Sequence, residues 1–502
     1  MEAKLGINGY RGFQNIFTKT VTQSESQDSV VPDTMPDVSA ILCTSGCALI
    51  RSKDVAEGRV RLEANIPARV CCAGAEDGSV FCLDVNVPFY ISAEDKAIRD
   101  GCVCTADLTL KHLEARMLNP RKVSVRAEVE AGLACFAEGE ELFASAPAED
   151  GGAVHVLERV SEISVIASVT EKTFVLTDEF ELAQERAELT QIVAQNAAVA
   201  VQEFRTVGSK VILSGDVRSE LTFLTADDGL ETAVFHTAFS QIAETGTETD
   251  DALCEANTLI SGMYYELTQG NGVGYISMEL HLVAFVTVYA RRALHYLSDA
   301  YSNAWALSLR RRQTELARYG REVVLRDSSV VQIEVPGEVG SVIACHAEPY
   351  ACRAEPGQIR AQLLLRLCWR CGDAVFSAER SMDRAIGTDA PDEALKLCSI
   401  SVTDVSAVPG GAGMEVRVTL EARAFTLQRT AVDAICAIEY DETQPRCLDD
   451  VPTLVMLRPR ADALLWELAK ENCSTVEAIC AANVLADGEL PSDRLLLIPK
   501  TI

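Results

Sequence analysis

One pattern limits what this chain can fold into more than any other. It is a set of alternating apolar and polar runs that occurs three times. In the first, Val60, Leu62, Ala64 and Ile66 fall on one face, and Arg59, Arg61, Glu63 and Asn65 on the other. That is the two-residue period of a half-buried strand. Val211, Leu213, Gly215 and Val217 repeat the register 151 residues later, and Ile359, Ala361, Leu363 and Leu365 repeat it after a further 148. Each run follows a short glycine-bearing segment: Glu57-Gly58-Arg59, Gly208-Ser209-Lys210 and Pro356-Gly357-Gln358.

The next runs come in the same order in every copy. Phe81, Leu83, Val85, Val87 and Phe89 follow Glu76-Asp77-Gly78, and Ala233, Phe235, Thr237 and Phe239 follow Asp227-Asp228-Gly229. The third copy is weaker: after Cys371-Gly372-Asp373, Phe376, Ala378 and Met382 share their row with Arg380. Asp-Gly between alternating runs is a hairpin signal. A last run closes each copy, at 123–131, 276–282 and 416–424, behind turns at Asn119-Pro120, Gly270-Asn271-Gly272 and Pro409-Gly410-Gly411. The fold expected is mainly β. It has three repeated, sandwich-like β-rich units, at 31–150, 151–303 and 304–440, behind a polar leader at 1–30. Residues 146–152 read as a linker. Residues 178–189 fit a short acidic helix or a strand. Arg310, Arg311 and Arg312 read as a strand end whose charges blunt edge pairing. The polar faces differ between copies, so the repeat carries no shared catalytic residue.

Composition agrees. At roughly 150 residues per domain, 502 residues make about three or four domains. Acidic residues number 74 against 45 basic, a net charge of −29. That balance argues against a nucleic-acid binder, which needs a positive footprint, and against general docking on anionic lipid. Neutral or basic partner surfaces remain. No apolar core of signal-peptide length opens the sequence, and no run reaches the about 18 apolar residues of a spanning helix, so a cytoplasmic location is expected. The 18 cysteines are scattered, as small apolar residues in a reducing compartment are. Only Cys368-Trp369-Arg370-Cys371 has metal-knuckle spacing, and zinc needs a second pair. The six histidines form no H-E-x-x-H motif, and no nucleophile elbow or phosphate loop is present. No metal, cofactor or enzymatic activity is expected.

After residues 441–446 the grammar changes. Thr453-Leu454-Val455-Met456-Leu457 is a short apolar strand, and 463–471 is a helical run carrying Leu464, Leu465, Trp466, Leu468 and Ala469. Ser474-Thr475-Val476-Glu477 has the capping-box spacing of a second helix. Leu495-Leu496-Leu497-Ile498 before Pro499 closes the segment as a strand. The order is strand, helix, helix, strand within 451–502, a small α+β module.

This segment resembles a LysM domain. The matching residues are 465–470, 475–479, Asn483-Val484-Leu485 and Leu496-Leu497-Ile498-Pro499. It departs from the family at Ala461-Asp462-Ala463, where Gly-Asp-Thr is usual, and around Ser492-Asp493, where a glycine is usual. Those two loops form the N-acetylglucosamine groove in sugar-binding LysM domains, so the resemblance here points away from glycan. Trp466 then reads as a core helix residue rather than a sugar platform. Upstream, residues 31–37 with Ile41-Leu42, Asn119-Pro120-Arg121 and Asp299-Ala300-Tyr301-Ser302 resemble SPOCS sequences of spore-forming Firmicutes. SPOCS repeats followed by one LysM domain are the architecture of the SipL-like spore morphogenesis family. The resemblance implies a non-enzymatic assembly factor in the mother cell, at the forespore surface, whose LysM domain docks onto a SpoIVA-like coat ATPase. The alternative is a peptidoglycan-binding LysM protein of the cortex or wall, which requires export. Candidate partner contacts are Asp462, Glu467, Asn483, Leu485 and Ser492. Leu485 is the expected anchor, because a loop leucine beside Ala486 and Asp487 has little local core to enter; its other place is as a cap on the second helix.

Overall fold

The computed structural model describes all residues except 1, 77, 147–153, 183–188, 227–228, 249, 271–272, 336–337, 373, 412, 447–451, 461–462, 486–493 and 502. The first unit holds β1 (Gly6–Val30), β2 (Val38–Ser45), β3 (Leu49–Ala56), β4 (Arg59–Gly74), β5 (Val80–Glu94), β6 (Val103–Asn119) and β7 (Lys122–Ser145). The second holds β8 (His155–Glu181), β9 (Leu189–Val207), β10 (Lys210–Thr225), β11 (Leu230–Glu244), β12 (Leu253–Gly270) and β13 (Val273–Tyr301). The third holds β14 (Trp305–Glu334), β15 (Ser341–Glu355), β16 (Gln358–Cys371), β17 (Ala374–Gly387), β18 (Leu395–Gly410) and β19 (Gly413–Pro445).

The three units share one topology. The outer three strands pair as β1–β7–β6, β8–β13–β12 and β14–β19–β18, and the inner ones as β9–β10–β11 and β15–β16–β17. In the first unit β2 and β3 pair with successive halves of β4, opposite β5. The alternating runs at Val60, Val211 and Ile359 therefore occupy the same place, the central strand of the inner sheet. Those at 123–131, 276–282 and 416–424 lie on the central strand of the outer sheet. Their apolar faces meet. Leu62 and Ile66 share one core with Val125 and Val129, Leu213 and Val217 another with Leu280 and Val286, and Leu363 and Leu365 a third with Val418 and Leu420.

The glycines before the inner central strands repeat as a conformation. Gly58, Gly208 and Gly357 have φ of +78°, +57° and +67°, the left-handed region that side chains avoid. Their surroundings differ. A Cβ on Gly208 meets nothing within 4 Å, whereas one on Gly357 stands 2.2 Å from the Pro391 carbonyl oxygen. Gly208→Ala is expected to cost about 1–2 kcal/mol. Gly357→Ala is expected to exceed that by about 1–3 kcal/mol, because the obstacle is backbone. Urea midpoints of the two variants compare them directly.

The stretch expected as a polar leader is instead part of the fold. Residues Gly6–Val30 pair with β7 along their whole length. A ladder is made by backbone, and Ser24 and Thr22 lie on a solvent face bonded to Glu128 and Glu130, so polarity concealed the strand. Its other face packs Ile16, Phe17 and Val21 on the first core. The ends of the long outer strands continue as paired ribbons, 6–14 with 137–145, 155–165 with 290–301, and 305–319 with 427–445, and Phe13 also pairs with Ile166, joining the outer sheets of the first two units into one of six strands. The ribbons pack together through Phe143, Ile163, Leu294, Leu316 and Val432. The Ala3 N–H donates to the Ile438 carbonyl at 2.8 Å, and Glu2 bridges Glu439, so the first unit meets the end of the third. The three-arginine run lies inside β14 rather than at a strand end. Arg311 reaches Asp299 and Asp433, and Arg312 reaches Glu141 and stacks over Phe143 at 4.7 Å. These cations hold ribbons together. Residues 178–181 belong to β8, Leu182 N–H donates to the Gly274 carbonyl, and Leu189 opens β9, so the described parts of the expected acidic helix are not helical; residues 183–188, and most of the expected linker, lie outside the described residues.

The C-terminal module comprises β20 (Leu454–Leu457), α1 (Leu465–Glu471), α2 (Val476–Asn483) and β21 (Leu496–Pro499), with β20 and β21 antiparallel. Leu468, Ala469, Ile479, Leu496 and Ile498 form its core. The helix cap falls one residue later than the capping-box spacing predicts. Thr475 Oγ1 accepts the Ala478 N–H at 3.0 Å, because Ser474 Oγ donates to the Pro499 carbonyl at 2.5 Å. Among the described residues no helix is long and apolar enough to cross a membrane.

Candidate functional site

The module is clamped to the β-rich body by the segment that follows the second unit. Tyr301 lies in the module's own core, with its ring edge-on to Trp466 at 4.8 Å and its hydroxyl donating to the Ser474 carbonyl at 2.9 Å. The Asp299 carboxylate accepts from Trp466 Nε1 at 2.9 Å and from Lys470 Nζ at 2.7 Å, and Arg311 approaches its other oxygen at 3.2 Å. Asn303 Nδ2 donates to Ser474 O and Thr501 Oγ1 at 3.2 and 3.1 Å. Burial alone pushes the Asp299 carboxyl up, but the bonds from Lys470 and Trp466 outweigh it and hold the group below its ordinary value. Trp466 is thus half-buried against a tyrosine and an aspartate.

Hydrogen bonds to a charged group are worth about 1.5–3 kcal/mol. Asp299→Ala is therefore expected to raise opening of the module–body joint by roughly ten-fold or more. The check is amide exchange in α1, which should quicken while exchange in β10 and β16 stays unchanged.

The expected contact residues part company. Glu467 is exposed in the first turn of α1. Asp462 and Ser492 lie outside the described residues. Asn483 is not a free contact. Its side-chain amide donates to the Ile479 and Leu497 carbonyls at 2.8 and 2.6 Å and accepts the Leu497 N–H at 2.7 Å. Nor is Leu485 a projecting anchor. It is half-buried on the module core, and its N–H donates to the Cys480 carbonyl at 3.1 Å, so the helix-capping reading is the one observed. The projecting residue is its neighbour. Val484 is 91% exposed at φ +53°, a conformation costly for a β-branched side chain. Leu454 and Met456 are 51% and 63% exposed and share one face of β20. The signal for them was the unbroken apolar run 454–457, which leaves both strand faces apolar.

A second concave region lies where the three units meet. A cavity of about 330 Å³ is lined by Cys43 and His112 of the first unit, Glu220 and Thr222 of the second, and His346 and Arg366 of the third, among others. Its charged groups are paired across the joints. His112 Nδ1 lies 2.7 Å from Glu379, and Arg366 lies 3.3 Å from the same carboxylate. Glu220, almost fully buried, meets Arg218 at 3.0 Å and His346 at 3.5 Å. Beside the cavity Cys43, Cys71 and Cys82 face one another across β2, β4 and β5, and Cys368 joins them from β16. Cys43 is pushed well below its ordinary value by its hydrogen bonds with Cys368 and Cys71, and Cys368 well above its own by the same bond and then by burial; burial pushes Cys72 up to about 12. Held protonated, Cys368 and Cys72 are poor nucleophiles. Among the described residues no three His, Cys, Asp or Glu side chains are grouped to hold a metal ion. The arrangement is suited to joining three units. No family model matches this chain, and neither a curated protein nor a solved structure does.

Proposed function

We propose that the chain is a non-enzymatic scaffold of endospore coat assembly. On this reading its three units are SPOCS domains, its C-terminal module is a LysM domain, and it works in the mother cell at the forespore surface. The module docks onto a SpoIVA-like coat ATPase. The observation that carries the reading is that the module is both held and exposed. Trp466, Lys470 and Ser474 are held by Asp299, Tyr301 and Asn303, while Leu454 and Met456, on one face of β20, and Val484 stay exposed to solvent. A module clamped to the β-rich body that leaves large apolar side chains exposed is built to present them to a partner. Glycan binding is disfavoured, because the aromatic ring a sugar needs is engaged by Tyr301 and Asp299.

The test uses the full chain, purified coat ATPase and purified insoluble peptidoglycan. Retention of the ATPase by the immobilised chain, with no sedimentation of the chain on peptidoglycan, is the expected result. Sedimentation with peptidoglycan and no ATPase retention overturns it.

A further inference from the structure

We propose that the open edge of β20 is a strand-addition site for an extended, acidic segment of a partner protein. This rests on the docking reading above and names the chemistry of what docks. The two edges of the small sheet are treated differently. Beyond β21, the Asn483 amide donates to the Leu497 carbonyl and accepts the Leu497 N–H, standing where a third strand would pair. β20 has no such cover. Lys500 N–H donates to the Thr453 carbonyl at 3.0 Å, which makes Thr453 and Lys500 a hydrogen-bonded pair. Alternation along an antiparallel ladder then makes Val455–Ile498 and Leu457–Leu496 hydrogen-bonded pairs too. The N–H and C=O of Leu454 and Met456 therefore point away from β21. The chain agrees: Pro499, which has no N–H, stands opposite Leu454, and Leu497, opposite Met456, turns its backbone groups to Asn483. Among the described residues nothing pairs with the outward groups of Leu454 and Met456.

Exposed edges are ordinarily blunted by shortness, charge, proline or a bulge. This one is short, but it carries two exposed apolar side chains and no charge, proline or bulge within its four residues. Strand addition takes affinity from such backbone groups and specificity from alternate side chains. The charge of the occupant follows from the end of the sheet. Arg460 follows β20, Arg494, which donates to the Asn483 carbonyl at 3.2 Å, precedes β21 at that same end, and both are exposed. In a chain of net charge −29 this is, among the described residues, a local basic rim beside an apolar strand. It suits a segment with apolar residues beside Leu454 and Met456 and carboxylates toward Arg460.

Met456→Pro tests the edge. It deletes an N–H that faces away from β21, and proline is tolerated on open edges. Met456→Thr keeps the N–H and reports loss of the side chain alone. The full chain and its Met456→Pro, Met456→Thr and Arg460→Glu forms are panned with a random peptide library, and each is assayed for capture of purified coat ATPase. The expected result is enrichment of alternating apolar–acidic peptides on the wild-type chain. Those peptides should bind Met456→Pro about ten-fold more weakly and be lost from the arginine variant, and Met456→Thr should stay closer to wild type than Met456→Pro. They should also slow amide exchange at Leu454 and Met456. Peptides that bind Met456→Pro as tightly as wild type overturn the proposal. So does a wild-type dimer in sedimentation that Met456→Pro dissolves, since the edge would then serve a second copy. ATPase capture undiminished in Met456→Pro overturns the edge and leaves the coat assignment standing. Edge-dependent peptide binding without ATPase capture supports the edge and overturns the assignment.

Discussion

Trp369→Ala is expected to lower the stability of the third unit by about 3–5 kcal/mol. The ring is fully buried on β16, in the core shared with Leu363, Leu365 and Val418, and stacks on Phe376 with centroids 5.8 Å apart. Truncation deletes that contact area and leaves a cavity between two sheets with little freedom to collapse. Trp369→Phe separates volume from polarity. The indole Nε1 is buried without a hydrogen-bond partner among the described residues, and an unpaired buried donor costs about 1–3 kcal/mol. Phenylalanine removes that cost while keeping most of the ring, so its expected change is small. Urea unfolding followed by circular dichroism ranks the three chains. An alanine variant that unfolds at the wild-type midpoint would contradict the packing described.

Glu220→Ala is expected to cost a comparable amount, about 3–5 kcal/mol, by a different route. Glu220 and Arg218 are 4% and 9% exposed at the side chain, and His346 reaches the same carboxylate from the third unit. Removing the carboxylate strands a buried guanidinium between two units. The pair also carries a pH signature. Burial pushes the Glu220 carboxyl up, but His346, 3.5 Å away, and Arg218, which donates to it at 3.0 Å, outweigh it and hold the group below the ordinary 4.5. A depressed folded value means that the unfolded chain binds the proton first as pH falls. The stabilisation is therefore present above about 4.5 and is lost as pH descends through the folded value. Melting temperatures of wild type and Glu220→Gln should differ above that range and converge below it. Parallel pH curves for the two would show that Glu220 has no such role.

What was readable in the sequence tracks solvent. The runs at Val60, Val211 and Ile359 announced themselves because one strand face is apolar, and their matched spacing revealed the repeat. Strand β1 escaped because Gln23 to Asp28 carry no apolar row, and only the register with β7 identifies them as strand. Arg218, Glu220 and Thr222 alternate with Val217, Ser219 and Leu221, which reads as an ordinary wet face. A neighbouring unit covers that face, and no local pattern announces covering from afar. Asn483 and Leu485 misled for a related reason. A polar residue at a helix end and a leucine in a short loop look available until β21 and the module core take them up. The open edge of β20 is invisible at the level of residue type, because it depends on which backbone groups are left over.

The contact between Ala3 and Ile438 has a bearing on how the molecule comes to exist. Repeat arrays usually end in free faces, so that each added unit finds a template and stability grows by increments. Here the first unit's leading strand meets the last strand of the third unit, so the array shuts on itself. During synthesis, domains fold from the N-terminal end. The first ribbon must wait, with Tyr10 and Phe143 uncovered, until Leu316 and Val432 have left the ribosome. The contacts of greatest sequence separation form last, and their loop-closure entropy sets the slow step of folding. A chain interrupted before residue 438 would retain well-formed sandwiches yet expose a hydrophobic seam.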